Sequence, residues 1–319
     1  MTGRPLAEAL RAAEALLAGA GVPSPRVDAE LLAAHLMGVA TGTTVSRGQV
    51  QAAAVLGRPA PDRFDELVAR RAAREPLQHL TGRAPFRGLE LAVGPGVFVP
   101  RPETEQVAEV AIDEARTVAT RAGSVVVADL CTGSGAIALA VAHEVPAAVV
   151  HAVELDRTAH DWAARNVAGA GLGVRLVRGD ARTALGALDG TVDVVVSNPP
   201  YVPTGAVPVD PEVAQHDPAV ALYGLGEDGL EVPRGIAAAA ARLLRPGGLF
   251  VMEHAEVQAD AARDLVRATG AFDDIRTGAD LTGRARMVVA RRSLVGGAAP
   301  TPAGTGGTAH ADVVGDSHA

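Results

Sequence analysis

Apolar residues recur at helical spacing through the first 75 positions. Leu6, Leu10, Ala13, Leu16 and Leu17 mark one stripe, closed by Gly19 and Gly21. Ser24-Pro25 supplies a cap and first-turn proline before Val27, Leu31, Leu32, His35 and Leu36. Residues 61–75 repeat the pattern with Phe64, Leu67, Val68 and Ala72. The period then changes. Phe86, Leu89, Leu91, Val93, Val97 and Val99, punctuated by Gly88, Gly94-Pro95 and Gly96, predict a β-hairpin within 77–100. Pro102 and the acidic residues after it open a helix that runs to about Arg121. From Ser124 strand and helix alternate. Strands are predicted at 124–130, 148–153, 174–178, 192–197, 248–254, 272–276 and 286–291, and helices near 134–144, 157–169, 230–245 and 256–269. Such alternation specifies a doubly wound α/β sheet, here with a final antiparallel strand. Residues 202–229 form a long connection rich in Pro, Gly and Asp, of the kind that usually serves function. The expected organisation is a helical domain over 1–76, a hairpin connector over 77–100, an α/β domain over 101–292 and a disordered tail over 293–319.

Composition narrows the function. The 319 residues are 48% hydrophobic, ample for a core. The net charge of −8 argues against a broad nucleic-acid-binding face. All 29 basic residues are arginine, so no lysine is available as a base or Schiff-base former. A single cysteine, Cys131, excludes an intrachain disulfide and suits a reducing compartment. The first residues show no signal-peptide core. No run approaches the roughly 18 uninterrupted apolar residues of a membrane span. Cytoplasm is therefore the expected location. The nine histidines are scattered without ligand spacing, and no metal is expected.

The chemistry concentrates at strand ends. The first long strand closes in Asp129-Leu130-Cys131-Thr132-Gly133-Ser134-Gly135, where the glycines let the backbone turn tightly and approach a ligand. Glu154, at the end of the second, lies 19 residues past Gly135, near the spacing of an acid that accepts ribose hydroxyls. Asp180-Ala181 follows the third strand, where an adenine amine can be met. Together these predict a nucleoside cofactor across the strand tips. Gly133-x-Gly135-x-x-Ala138 would also pass as a loose dinucleotide fingerprint, which is weak by itself. The fourth strand decides between them. It ends in Asn198-Pro199-Pro200-Tyr201. Prolines donate no N–H and leave carbonyls facing outward beside the Asn198 side chain. The result is a set of acceptors suited to an –NH2 group, walled by Tyr201. An N-methyltransferase needs such a cage and a dehydrogenase does not, so S-adenosylmethionine is favoured over NAD.

With these motifs in view, the chain resembles the peptide chain release factor glutamine N5-methyltransferases, the HemK/PrmC family. The resemblance runs from about Leu6 to Arg292. It is carried by EPLQHLTGRAPF, VGPGVFVPRPETE, DLCTGSGAIALA, AVELD with Arg165-Asn166 downstream, VSNPPYV, HDPAVAL followed by GEDGL, and LLRPGG before FVMEH. It implies a seven-stranded class I S-adenosylmethionine-dependent methyltransferase domain (Rossmann-like) behind a small helical domain and a β-hairpin. It also implies that the substrate is the glutamine of the release factors' Gly-Gly-Gln motif. By motif position the cofactor contacts are Asp129, Cys131, Thr132, Gly133, Ser134, Gly135, Glu154, Asp180, Ala181 and Asn198, and Asn198 to Tyr201 form the catalytic and substrate-binding clamp. Two positions depart from the family pattern: Cys131 stands where many members have glycine, and Ala181 where the residue is often larger. Arg101 and Glu103 are expected either to shape the pocket mouth or to form a helix-capping ion pair. His216-Asp217-Pro218 is expected to help order the long connection. The N-terminal helices are expected to dock the protein substrate, and the enzyme to act as a monomer without membrane or nucleic-acid partners. The rival substrates are a glutamine of a ribosomal protein and, further off, an adenine or guanine of DNA or RNA.

Overall fold

The computed structural model describes residues 4–294, so the predicted tail lies outside the described residues from position 295 onward. The chain opens with α1 (Leu6–Gly19), α2 (Pro25–Thr41), α3 (Arg47–Val55), α4 (Phe64–Ala72) and α5 (Leu77–Thr81). The α1 stripe buries Leu6, Ala9, Leu10, Ala13 and Leu17, but Leu16 falls off it and is exposed. These residues pack with Leu32, Phe64, Leu67 and Val68 into a small core of their own. Sequence patterning overlooked α3, whose apolar face is little more than Val50. Its signature was a capping box: Ser46 Oγ accepts from the Gln49 N–H while Gln49 Oε1 accepts from the Ser46 N–H.

The hairpin is shorter than 77–100. It comprises β1 (Arg83–Phe86) and β2 (Leu89–Ala92), and residues 77–81 are helical. Val93, Val97 and Val99 are nevertheless buried, in a cluster with Ala84 and Ala159. After α6 (Thr104–Ala122) come β3 (Val125–Leu130), α7 (Ala136–Glu144), β4 (Ala148–Glu154), α8 (Arg157–Ala170), β5 (Val174–Arg178) and β6 (Val192–Ser197). The long connection is not plain loop. It holds α9 (Pro211–His216) and α10 (Ala219–Leu222), too short to show a period. The chain ends in α11 (Glu231–Leu243), β7 (Leu244–Glu253), α12 (Ala259–Ala268), β8 (Phe272–Ala279) and β9 (Ala285–Arg292). Residues 244–245, predicted as the end of a helix, already belong to β7, which starts at Leu244 rather than at 248.

The seven strands order β5-β4-β3-β6-β7-β9-β8, and β9 alone runs against its neighbours. β3 and β6 are buried on both faces, as central parallel strands must be. Val194 and Val196 face a core shared with α6 and α7, while Val195 and Phe250 face α11 and α12. The chain winds from β3 out to β5 and returns to lay β6 against the other side of β3. That reversal opens a crevice at the carboxyl ends of β3 and β6, the usual ligand position in such sheets.

Buried ion pairs join the first helices to the connection after β6. Arg71 Nη1 and Arg74 Nε each donate to Glu212 Oε1 at 2.7 Å, and Arg71 Nε also donates to Asp28 Oδ2 at 2.8 Å. Burial works against a charged Glu212, yet the Arg74 and Arg71 guanidiniums hold its pKa down to about 2.

Candidate active site

A cavity of about 860 Å³ occupies the crevice, within the size range of ligand pockets. Its floor is the loop from β3 into α7. Cys131, Gly133 and Gly135 all take positive φ, at 66°, 59° and 87°. Cys131 is therefore strained where a glycine would not be. Burial and the nearby Glu154 raise the Cys131 thiol pKa, which rules against a reactive thiolate. A side chain built on Gly133 would meet nothing within 4 Å, whereas one on Gly135 would just touch Leu139 at 3.4 Å and Ala163 at 3.7 Å. Gly133 thus opens toward the cavity and Gly135 serves the packing of α7 against α8.

Cys131, Thr132, Gly133, Ser134, Glu154, Asp180, Ala181 and all of Asn198–Tyr201 line the cavity. Asp129 and Gly135 do not. Asp129 is fully buried beneath the loop, where it accepts from Thr132 Oγ1 at 2.5 Å and from the Ala138 N–H at 3.0 Å. It caps α7 from a neighbouring strand, because the helix's own N-cap residue is Gly135. Burial pushes its pKa up to about 7. Both of these contacts use Oδ2, so the carboxylate shapes the loop through one oxygen, while Oδ1 has no partner among the described residues.

Glu154 is buried at the cavity wall. Its Oε2 accepts from the Gly133 N–H and its Oε1 from the Asp156 N–H, both at 2.8 Å. Each oxygen keeps a second lone pair, the donor-free pair that two vicinal ribose hydroxyls require. The loop and this carboxylate therefore fit a nucleoside. Asp180, by contrast, spends its carboxylate on Arg182, with 2.7 Å between Oδ2 and Nη2, and this contact lowers its pKa. Ala181 forms the adjoining apolar wall. Asn166, the chain's other asparagine, donates to the Ala92 and Ser134 carbonyls and accepts from the Ala92 N–H, so it pins the cofactor loop to β2.

β6 delivers the clamp. Ser197 Oγ donates to the Leu130 carbonyl at 2.5 Å and locks the β6 tip to that of β3. Asn198 Nδ2 donates to Thr104 Oγ1 at 3.2 Å, which leaves Oδ1 as the acceptor available to the cavity. The Pro199 carbonyl takes no hydrogen bond among the described residues. Behind the clamp, Gln258 Nε2 donates to the Tyr201 and Asp228 carbonyls at 2.9 and 3.0 Å. Arg101 settles its alternatives by doing two things. It lines the cavity mouth beside Phe98, and it pairs with buried Asp217 Oδ2 at 2.7 Å rather than with a helix cap. Asp217 is thereby the residue of the 216–218 segment that anchors the connection.

Thr104, Glu253 and Arg286 also line the cavity, and sequence reasoning assigned them nothing. Glu253 had one signal, a carboxylate directly after the apolar run Leu249–Met252.

The fold and this site define a class I S-adenosylmethionine-dependent methyltransferase. Residues 8–82 match the model of the PrmC N-terminal domain and residues 105–216 that of the methyltransferase small domain. A release factor glutamine methyltransferase of Streptomyces coelicolor is 52% identical over 91% of this chain and 98% of its own length. One from Mycolicibacterium smegmatis is 48% identical over 90% and 98%. A 4-amino-L-phenylalanine/4-methylamino-L-phenylalanine methyltransferase of Streptomyces pristinaespiralis is 44% identical over 83% and 88%. The chain belongs to the release factor glutamine methyltransferase family. Among the described residues no helix is long and apolar enough to cross a membrane.

Proposed function

We propose that this enzyme transfers a methyl group from S-adenosylmethionine to the side-chain amide nitrogen, N5, of the glutamine in the Gly-Gly-Gln motif of peptide chain release factors. The observation that carries the reading is the committed Asn198 amide. With Nδ2 spent on Thr104, Oδ1 is the acceptor left to Asn198, and the carbonyl of the next cavity-lining residue, Pro199, takes no hydrogen bond among the described residues. A primary amide carries two N–H donors and matches them.

When bound, the cofactor supplies an electrophilic methyl carbon on a sulfonium. Glu154 would accept its ribose hydroxyls, the backbone of Cys131–Ser134 would face its amino-acid end, and Ala181 would border the adenine. The remaining work belongs to the clamp. An amide nitrogen is a weak nucleophile because its lone pair is delocalised into the carbonyl. Gripping both N–H groups orients the nitrogen and favours a more pyramidal form. Orientation of this kind supplies up to ~7–11 kcal/mol in favourable reactions. Tyr201 excludes water and covers the substrate side chain. The proton leaves readily once the nitrogen is methylated, so no strong base is required beforehand.

Incubating release factors and ribosomal proteins with enzyme and labelled cofactor, followed by peptide mass spectrometry, tests the substrate. A single methyl on the release-factor glutamine is expected, and a methyl only on a ribosomal-protein glutamine would overturn the assignment. Glu154→Ala should weaken cofactor binding by about 100-fold, the loss of two charge-assisted hydrogen bonds. Calorimetry reads this directly, and an unchanged Kd would remove Glu154 from the ribose site.

The helical domain is proposed to dock the protein substrate, because one glutamine side chain offers little contact area. Deleting residues 1–76 is a poor test of it. The deletion would take Arg71 and Arg74 from buried Glu212 and disturb the connection that roofs the cavity. Comparing kcat/KM for whole release factor and for a Gly-Gly-Gln peptide avoids the problem. A ratio above roughly 100 is expected from a second contact, and parity would argue against docking.

A further inference from the structure

Glu253 ends β7 against the cavity wall and is 3% exposed. Two hydroxyls point at its carboxylate. Thr104 Oγ1 donates to Oε2 at 2.8 Å and Tyr201 OH donates to Oε1 at 3.2 Å. An ionised carboxylate only accepts. Thr104 has one proton, and once it is given to Glu253 the Thr104 oxygen can only accept. The partner it accepts from is Asn198 Nδ2. The direction of every hydrogen bond in the chain is therefore set from its buried end.

A protonated or amide group at position 253 removes that constraint. It could donate to Thr104, whose own proton would then be free to point at Asn198. The Asn198 amide would then be free to turn over, since its two ends are nearly the same shape, and the turned form offers N–H groups to the cavity in place of Oδ1. Two N–H donors facing a substrate –NH2 cannot hold it.

We propose that Glu253 is a positioning residue: its carboxylate, acting through Thr104 and Tyr201, fixes the Asn198 amide with its oxygen toward the substrate and so makes the clamp an acceptor of hydrogen bonds. This rests on the reading that the substrate nitrogen is a primary amide. The charged and titratable groups facing Glu253 are Tyr201 after β6, Glu103 at the start of α6, and Arg286 on β9, itself paired with Asp280 at 3.1 Å. Burial pushes the Glu253 pKa up to about 7; the Thr104 and Tyr201 hydrogen bonds and Arg286 oppose the rise, and Glu103 adds to it. Tyr201 stays neutral and a donor, because burial and the Glu253 charge raise its own pKa. Glu253 is thus ionised above about pH 7 and protonated below it. Activity that depends on the carboxylate rises with pH through that value. Stability runs the other way. A group whose folded pKa is raised contributes stability at low pH that is lost as pH climbs through the folded value.

The test is Glu253→Gln, with Thr104→Val and Thr104→Ser beside it, assayed on full-length release factor. In Glu253→Gln, kcat is expected to fall by roughly 10–100-fold at pH 8, the scale of a misplaced reacting group. Cofactor Kd by calorimetry should stay within about threefold and Tm above pH 7 should hold or rise, since a buried charge is gone. The wild-type rise of kcat through pH 7 should be missing from the variant. Thr104→Val should fall like Glu253→Gln, and Thr104→Ser should recover most of the loss because it restores the hydroxyl. Glu253→Gln turnover within twofold of wild type, with the acid limb intact, would overturn the proposal. So would Kd and Tm falling in step with kcat, which is what a merely structural residue would show. Wild-type enzyme that binds cofactor but puts no methyl on the release-factor glutamine would instead overturn the substrate reading, and this proposal with it.

Discussion

Asn198→Ala should cut turnover by roughly 100–1000-fold, the loss seen when one preorganised hydrogen-bonding group is removed from an active site. The side chain is half-buried, and its Nδ2 is already held by Thr104 Oγ1 at 3.2 Å. Removing it takes away one of the two acceptors proposed to grip the substrate amide and leaves the Pro199 carbonyl alone. Cofactor affinity should fall far less. The Glu154 carboxylate, proposed to hold the ribose, ends β4, the Cys131–Gly135 loop follows β3, and both are braced independently of Asn198. Steady-state rates on whole release factor, paired with calorimetry for S-adenosylmethionine, separate the two. Equal losses in both would mean that Asn198 holds the cofactor and does not orient the substrate nitrogen.

Gly224→Ala should be almost as damaging, although the residue carries no chemistry. A Cβ at Gly224 would stand 1.8 Å from the Gly229 carbonyl oxygen and 2.6 Å from that of Pro200. One at Gly229, where φ is +71°, would stand 2.4 Å from the Tyr201 carbonyl oxygen and 2.7 Å from the Pro203 nitrogen. All of these are backbone atoms and none can swing aside. The two glycines, Gly224 just before the GEDGL motif and Gly229 within it, let the 224–229 segment lie directly on the clamp. The substitution should lower stability by about 1–3 kcal/mol, as overpacking does. It should also reduce kcat by about 100-fold through displacement of Pro200 and Tyr201, since misplacement by an ångström is enough. Gly226→Ala is the control. Its φ of +69° carries backbone strain, but the nearest atom is the Asp228 side chain at 3.4 Å. If thermal melts and turnover put Gly224→Ala no lower than Gly226→Ala, close backbone packing is not what position 224 provides.

Legibility in the sequence tracked the range of the interaction. The apolar runs of β3, β4 and β6 stand out because central parallel strands are buried on both faces. The glycine loop is legible because positive φ demands it. Asn198-Pro199-Pro200-Tyr201 is legible because prolines after a buried strand cannot continue a ladder. α3 and α9 were hidden for the opposite reason, since a helix that buries only one or two residues leaves no period. Asp129 shows what motif position leaves unsaid. It sits where a cofactor contact was expected, and only the packing of α7 onto β3 reveals that its carboxylate caps the helix. Asn166 and Glu253 both lay inside recognisable motifs, yet nothing in their neighbours says what they bond.

By itself, then, the order of residues determined the α/β class, the strand tips, the cofactor loop and the clamp, because each depends on neighbours a few positions away. Tertiary structure alone decided that β9 would insert between β7 and β8, that Arg71 would meet Glu212 across 141 positions, and that Thr104 would meet Glu253 across 149. Those contacts depend on how layers stack and which way a side chain turns in a closed interior. No local pattern encodes them, and they set the direction of the hydrogen bonds on which the proposed chemistry rests.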